Sequence, residues 1–217
     1  MENTAESLAA EYMRGLTQQY RYKSGEGADG MKSAEALEAE EALQALEAVW
    51  GASEEDVRHL QAVWPQCPES LIALLRLVDG TYWRVYGETN VSVFMFGSNL
   101  SGEPDDGWSP YYLLSSAQIA GKGAAFDESI EDIWNGADVE VDRRIRSDVN
   151  MSRWLHFADC MNNGGTSQLF IDFAPAPNGQ AGQIVRFVHD PDSFIVVADS
   201  FDDFLQNMMQ ARYPFIE

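Results

Sequence analysis

The sequence predicts an α+β domain in which helices come first, strands follow, and a last helix closes the chain. Three observations carry this. Apolar residues recur at helical spacing from about residue 34 to residue 78. The period changes to two at Tyr82. Residues 154–198 then hold four short aliphatic and aromatic runs separated by turn residues, ahead of a serine-capped amphipathic stretch. Helical and strand patterns are segregated, so the sheet is expected to be antiparallel or mixed.

Leu8, Tyr12, Leu16 and Tyr20 recur every four residues, a helical stripe. Ser24-Gly25-Glu26-Gly27-Ala28-Asp29-Gly30 follows, with three glycines that add unfolded-state freedom and no packing. Residues 1–30 are read as an N-terminal helical arm and glycine-rich linker outside the main core, locally mobile at the glycines, and residues 31–217 as the main domain. Ser33 caps a helix over Ala34–Trp50, with Leu37, Leu43, Leu46, Val49 and Trp50 inward and Glu35, Glu38, Glu40 and Glu41 opposite. Ser53 caps the next, whose stripe is Val57, Leu60 and Val63 and which Pro65 stops. Pro68 opens a third at its first position, running Glu69–Val78, and Asp79-Gly80 closes it. Tyr82–Tyr86 and Val91–Phe96 form a hairpin about a four-residue turn, Gly87–Asn90. Tyr111–Leu114 is a short apolar run. Ser115–Ala120 and Asp127–Trp134 are short helices, and Asp138–Asp148 is loop-like. Strands are expected over Trp154–Ala158, Leu169–Phe173, Ile184–His189 and Phe194–Ala198, and Ser200 caps the last helix.

Composition narrows the function. With 14 Lys and Arg against 35 Asp and Glu, the net charge is −21. Nucleic acid phosphates and anionic lipid surfaces should repel such a chain, and a charged macromolecular partner should be basic. There is no apolar stretch of membrane-spanning length. The first residues lack the basic and apolar regions of a secretory signal, so the expected location is cytoplasmic. Cys67 and Cys160 are expected to be buried free thiols.

No nucleotide-binding glycine loop, nucleophile elbow or zinc-protease helix is present. His59, His156 and His189 are too scattered for a recognised metal spacing, and His156 sits mid-strand as a structural residue. Cys160 lies near His156 and Asp159, but at a strand end without the helix N-terminus that would lower its pKa. The expectation is no enzyme, no cofactor and no metal. The charge distribution says more. From Glu88 to Asp142 there are eleven acids and one base, Lys122, interleaved with aromatics. Acids steer a basic protein and exposed rings anchor it. The candidate partner-binding residues are Glu103, Asp105, Asp106, Trp108, Glu128, Glu131 and Asp132. Arg143, Arg144, Arg146 and Arg153 are read as intramolecular partners of these acids.

Three stretches carry a family resemblance. Cys67-Pro68-Glu69 through Asp79-Gly80 resembles a "Leu-Pro, helix, Asn/Asp-Gly" signature. Tyr112–Ser115 with Ile119 is similar to the strand and helix that follow a first hairpin. Trp154–Leu205 gives an ordered run: a Trp-led strand, Asn163-Gly164-Gly165, Phe170-Ile171-Asp172, Gly182–Val185 and Ser200–Leu205. Together they resemble the SUKH superfamily, the domain of the Smi- and Knr-type cell-wall-synthesis regulators and their bacterial relatives, over about residues 34–210. The resemblance implies a SUKH-like domain over 31–217 that binds rather than catalyses. Bacterial members are largely immunity proteins that neutralise toxins, often nucleases. It therefore implies an immunity protein with a basic, nuclease-type toxin as partner. A regulatory or scaffold role with no toxin is the alternative.

Overall fold

Helices α1 (Thr4–Lys23), α2 (Ala34–Glu47), α3 (Glu54–Val63) and α4 (Glu69–Leu75) precede the first strand in a computed structural model of the chain, which describes residues 4–25, 31–99, 108–122, 126–135, 138–162, 165–189 and 191–216. A small hairpin follows, β1 (Arg84–Tyr86) with β2 (Thr89–Val91). The main sheet is built from β3 (Phe94–Asn99), β4 (Trp108–Leu113), β5 (Glu140–Val141), β6 (Trp154–Asn162), β7 (Gly165–Asp172), β8 (Gln183–Val188) and β9 (Ser193–Ala198). α5 (Ser116–Lys122) and α6 (Ile130–Ile133) lie between β4 and β5, and α7 (Phe201–Gln210) follows β9. The strand order is β3-β4-β6-β7-β8-β9-β5, antiparallel except for the parallel β5–β9 pair. The chain is α+β with a mixed sheet.

Alternation along the strands gives the sheet two buried faces. Leu155, Leu169, Ile171 and Ile184 join the main cluster with α1, α4 and α7. Trp154, Phe170, Val185, Phe187 and Phe194 form a second cluster, covered by Ile130, Ile145 and Met151 from the chain between β4 and β6. The sheet curls strongly. Tyr111 of β4 reaches across β6 to share a 2.5 Å hydrogen bond with Ser167 of β7. Arg186 of β8, almost wholly buried, donates to Ser98 Oγ (3.2 Å) and to the carbonyl of Asn99 on β3, although three strands lie between them in the order.

The helical stripe at the N-terminus is not outside the core. Ala9, Tyr12, Leu16 and Tyr20 are buried in the main cluster, because α1 packs along α4 and α2 and crosses the free edge of β3. There Tyr12 donates to the Met95 carbonyl at 2.5 Å and Tyr20 to the Phe94 carbonyl at 2.9 Å. These bonds satisfy edge-strand groups that would otherwise invite another strand. Tyr213 in turn donates to the Tyr12 carbonyl at 2.9 Å, its ring lying against the open space left by Gly15.

Serine caps appear where the sequence puts them. Ser33, Ser53 and Ser200 each accept from a backbone N–H three residues on. Several details differ. Leu37 and Trp50, expected inward, are exposed. The buried face of α2 is instead Ala36 and Ala39, whose small side chains let the helix lie close to its neighbours. Val63 is exposed at the end of α3. Pro68 is the N-cap rather than the first helical residue, and α4 stops at Leu75. The hairpin turn has two residues, Gly87 and Glu88, since Tyr86 pairs with Thr89 and Gly87 takes φ +61°. Val91–Phe96 is split: Val91 ends β2, and Phe94 begins β3 in the other sheet. Residues 138–148, expected to be loop-like, include β5, whose two residues pair with β9.

Candidate partner-binding surface

Trp108 opens β4 opposite Asn99, half-buried, with its ring against the rim of the main cluster. The proline two residues on and the curl of β3 around Gly97 leave a concave surface beside it. Glu128, Glu131 and Asp132 lie elsewhere, around α6 on the opposite face of the sheet. All three are exposed, and each makes a local contact. Asp132 closes a capping box with Ser129, which donates to its carboxylate at 2.6 Å and accepts from its N–H at 3.1 Å. Glu131 accepts from Ser147 Oγ at 2.5 Å. The Glu128 carbonyl accepts from the Met151 N–H. Glu103, Asp105 and Asp106 lie outside the described residues. The structure thus brings the α6 acids together, but does not join them to Trp108.

Of the four arginines from Arg143 to Arg153, Arg144 and Arg146 pair with acids of this chain among the described residues, and only Arg144 does so with an acid of the Glu88–Asp142 tract. Arg144 forks onto Asp142 at 2.7 Å, reaches Asp199 at 3.7 Å, and donates to the Val196 carbonyl. That fork holds the Asp142 carboxyl below its ordinary value. Arg146 pairs with Asp148 at 2.7 Å. Trp134 donates its indole N–H to Asp192, which also meets His189 at 2.5 Å, fastening α6 to the turn before β9.

The acidic groups of the family-like signatures turn out to be structural. Asp79 is buried, accepts from both the N–H and Oγ of Ser116 (2.8 and 2.7 Å), and meets Arg84 at 2.5 Å. Its neighbour Gly80 has φ +89°, and a Cβ there would lie 2.6 Å from the Ser115 nitrogen. Asp172, fully buried, accepts from Ala174 N–H and Gln183 Nε2. Desolvation raises its pKa, and these donors oppose the rise.

Neither thiol is activated as a nucleophile. Burial pushes the Cys160 thiol up to about 12, with the Asp159 charge adding to the shift, and Cys67 likewise to about 12. His156 stacks on Phe170 at 4.9 Å in the second cluster, whereas Cys160 belongs to the main one. Among the described residues no group of three or more His, Cys, Asp or Glu could hold a metal ion, and no helix is long and apolar enough to cross a membrane.

Sequence reasoning missed a second surface. A groove of about 580 Å³ runs between α2 and the β3 edge, with Glu35, Glu38 and Glu41 on one wall and Trp83, Phe94 and Trp108 on the other. The only sequence signal was carboxylates at three-residue spacing along a helix, which reads as a solvated face.

A model of the SMI1 / KNR4 family (SUKH-1) matches residues 51–207, from the approach to α3 into α7. No curated protein matches the chain.

Proposed function

The chain belongs to the SMI1 / KNR4 family (SUKH-1), whose domains are generally non-catalytic, and from that premise we propose that it is an immunity protein that binds and neutralises a basic, nuclease-type toxin in the cytoplasm of the cell that makes it. The observation that carries this reading is the charge of −21 on 217 residues. A toxin that holds phosphate presents cationic surface, and an acidic protein is attracted to that surface before contact. Inhibition is by occlusion: the acidic face covers the cationic surface and keeps substrate out, with no covalent chemistry required.

The test is co-expression with the C-terminal domain encoded by the gene immediately upstream. That domain alone should arrest growth, growth should return when this chain is present, and the two should co-elute as an equimolar complex. A neighbouring product that is harmless, or that does not bind, overturns the reading.

A further inference from the structure

The groove between α2 and the β3 edge is lined by carboxylates on one side and aromatic rings on the other. Glu35, Glu38 and Glu41 are exposed along one side of α2, and among the described residues no cation pairs with any of them; Lys32 is committed to Glu40 at 2.9 Å. The Ser33 hydroxyl and the backbone hold Glu35 below the ordinary carboxylate value, which keeps it ionised. Across from them Trp83 is 52% exposed, held at φ +50°, a backbone region that bulky residues seldom occupy. Phe94 and half-buried Trp108 continue that wall. The volume lies within the range of clefts that hold ligands.

A carboxylate wall facing aromatic rings suits a cationic side chain, which gains ion pairing on one side and a π face on the other. A second copy of this chain, itself strongly acidic, would meet like charge there. The carboxylate wall comes from α2, outside the residues 51–207 that the family model matches, whereas the aromatic wall lies within them. We propose that this groove seats an extended segment of the partner protein, with its arginine or lysine side chains between Glu35, Glu38 and Glu41 and the rings of Trp83 and Trp108. The assignment rests on the reading of the partner as a basic protein and names where it is gripped.

The probe is a blocked decapeptide of alternating Arg and Ala, titrated into the ¹⁵N-labelled full chain at low salt, with a Glu/Ala peptide as control. The largest shifts should fall on the Trp83 and Trp108 indole N–H groups and the amides of residues 35–42. The triple substitution Glu35→Lys, Glu38→Lys, Glu41→Lys should weaken binding about tenfold or more. The triple Glu6→Lys, Glu47→Lys, Glu55→Lys, which changes net charge equally at exposed sites elsewhere, should weaken it less than about threefold. Trp83→Ala, which alters no charge, should also weaken it several-fold. Shifts centred elsewhere, no binding to the wild type, or equal losses from the two charge triples would overturn the groove. Any of these would leave the co-expression result to stand or fall separately.

Discussion

The Tyr12 hydroxyl donates a 2.5 Å hydrogen bond to the Met95 carbonyl, tying the first helix to the edge strand of the sheet across 83 residues. Burial raises the Tyr12 pKa well above its ordinary value, so the phenol remains a donor throughout the accessible pH range. Tyr12→Phe should cost about 1–2 kcal/mol, since it orphans a buried acceptor while keeping the ring. Tyr12→Ala should cost about 3–5 kcal/mol by adding a cavity. Urea denaturation followed by tryptophan fluorescence reads both. Equal stabilities for wild type and Tyr12→Phe would remove the bond from the account.

Gly80 and Gly87 both have positive φ, but only Gly80 is also crowded. Gly87→Ala should cost about 1 kcal/mol, from backbone conformation alone. Gly80→Ala adds a clash with the Ser115 backbone beside buried Asp79, and should cost clearly more. Comparing the two midpoints in urea is sufficient, and a reversed order would contradict the packing described.

Both thiols should resist alkylation in the folded protein. With each pKa pushed up to about 12, native Cys67 and Cys160 hold little thiolate at pH 8. Thiol titration with a chromogenic disulfide should be slow in buffer and fast in urea. A rapid phase in buffer, assigned to Cys160, would reopen nucleophilic chemistry.

Arg144 holds Asp142 below 3.8, its ordinary value, chiefly through side-chain hydrogen bonds. The unfolded chain therefore takes up this proton at higher pH than the folded one. The stabilisation is complete above about pH 4 and is lost as pH falls through the folded value. The pair is partly solvated, so Arg144→Met should cost only about 1 kcal/mol at pH 7. The gap between wild type and variant should close as pH falls from about 4 toward 2, as measured by denaturation at a series of pH values. A gap that widens in acid would mean that packing, not charge, is the larger part.

Once a partner is in hand, Asp105→Lys with Asp106→Lys should slow association and flatten its salt dependence, because charge steering acts on the on-rate. Trp108→Ala should raise the off-rate instead, as expected for loss of an anchoring ring. Surface plasmon resonance across salt concentrations separates the two. An unchanged on-rate would reduce Asp105 and Asp106 to solvation.

Much of the fold was legible because its signals are local. Ser33, Ser53 and Ser200 cap helices through bonds three residues long, and the β6–β9 runs are short apolar stretches bounded by turn residues. What failed depends on distant partners. The Tyr12 and Tyr20 stripe reads identically on a free arm and on a docked helix, and only Met95 and Phe94 distinguish the two. Leu37 sits at a helical position, but α2 packs through Ala36 and Ala39, a choice that rests on its neighbours and not on its own period. β5 has too few residues for a period, and exists because Ser193 and Phe194 lie alongside it. Of the candidate surface, the sequence offers Trp108 as an aromatic among acids, but sequence distance does not reveal that Glu131 and Asp132 answer to Ser147 and Ser129, or that Trp83 and Glu35 line one groove.

The bond from Tyr213 to the Tyr12 carbonyl spans 201 residues. At a synthesis rate of about 5–20 residues per second, Tyr213 is made roughly 10–40 s after Tyr12. Over that interval α1 can meet α2, α4 and the β3 edge as they are made, but not the C-terminal residues that complete its burial. The packing of α1 is thus begun by near partners and finished by the far end of the chain, so removal of Tyr213 and the residues after it would leave Tyr12 only partly covered.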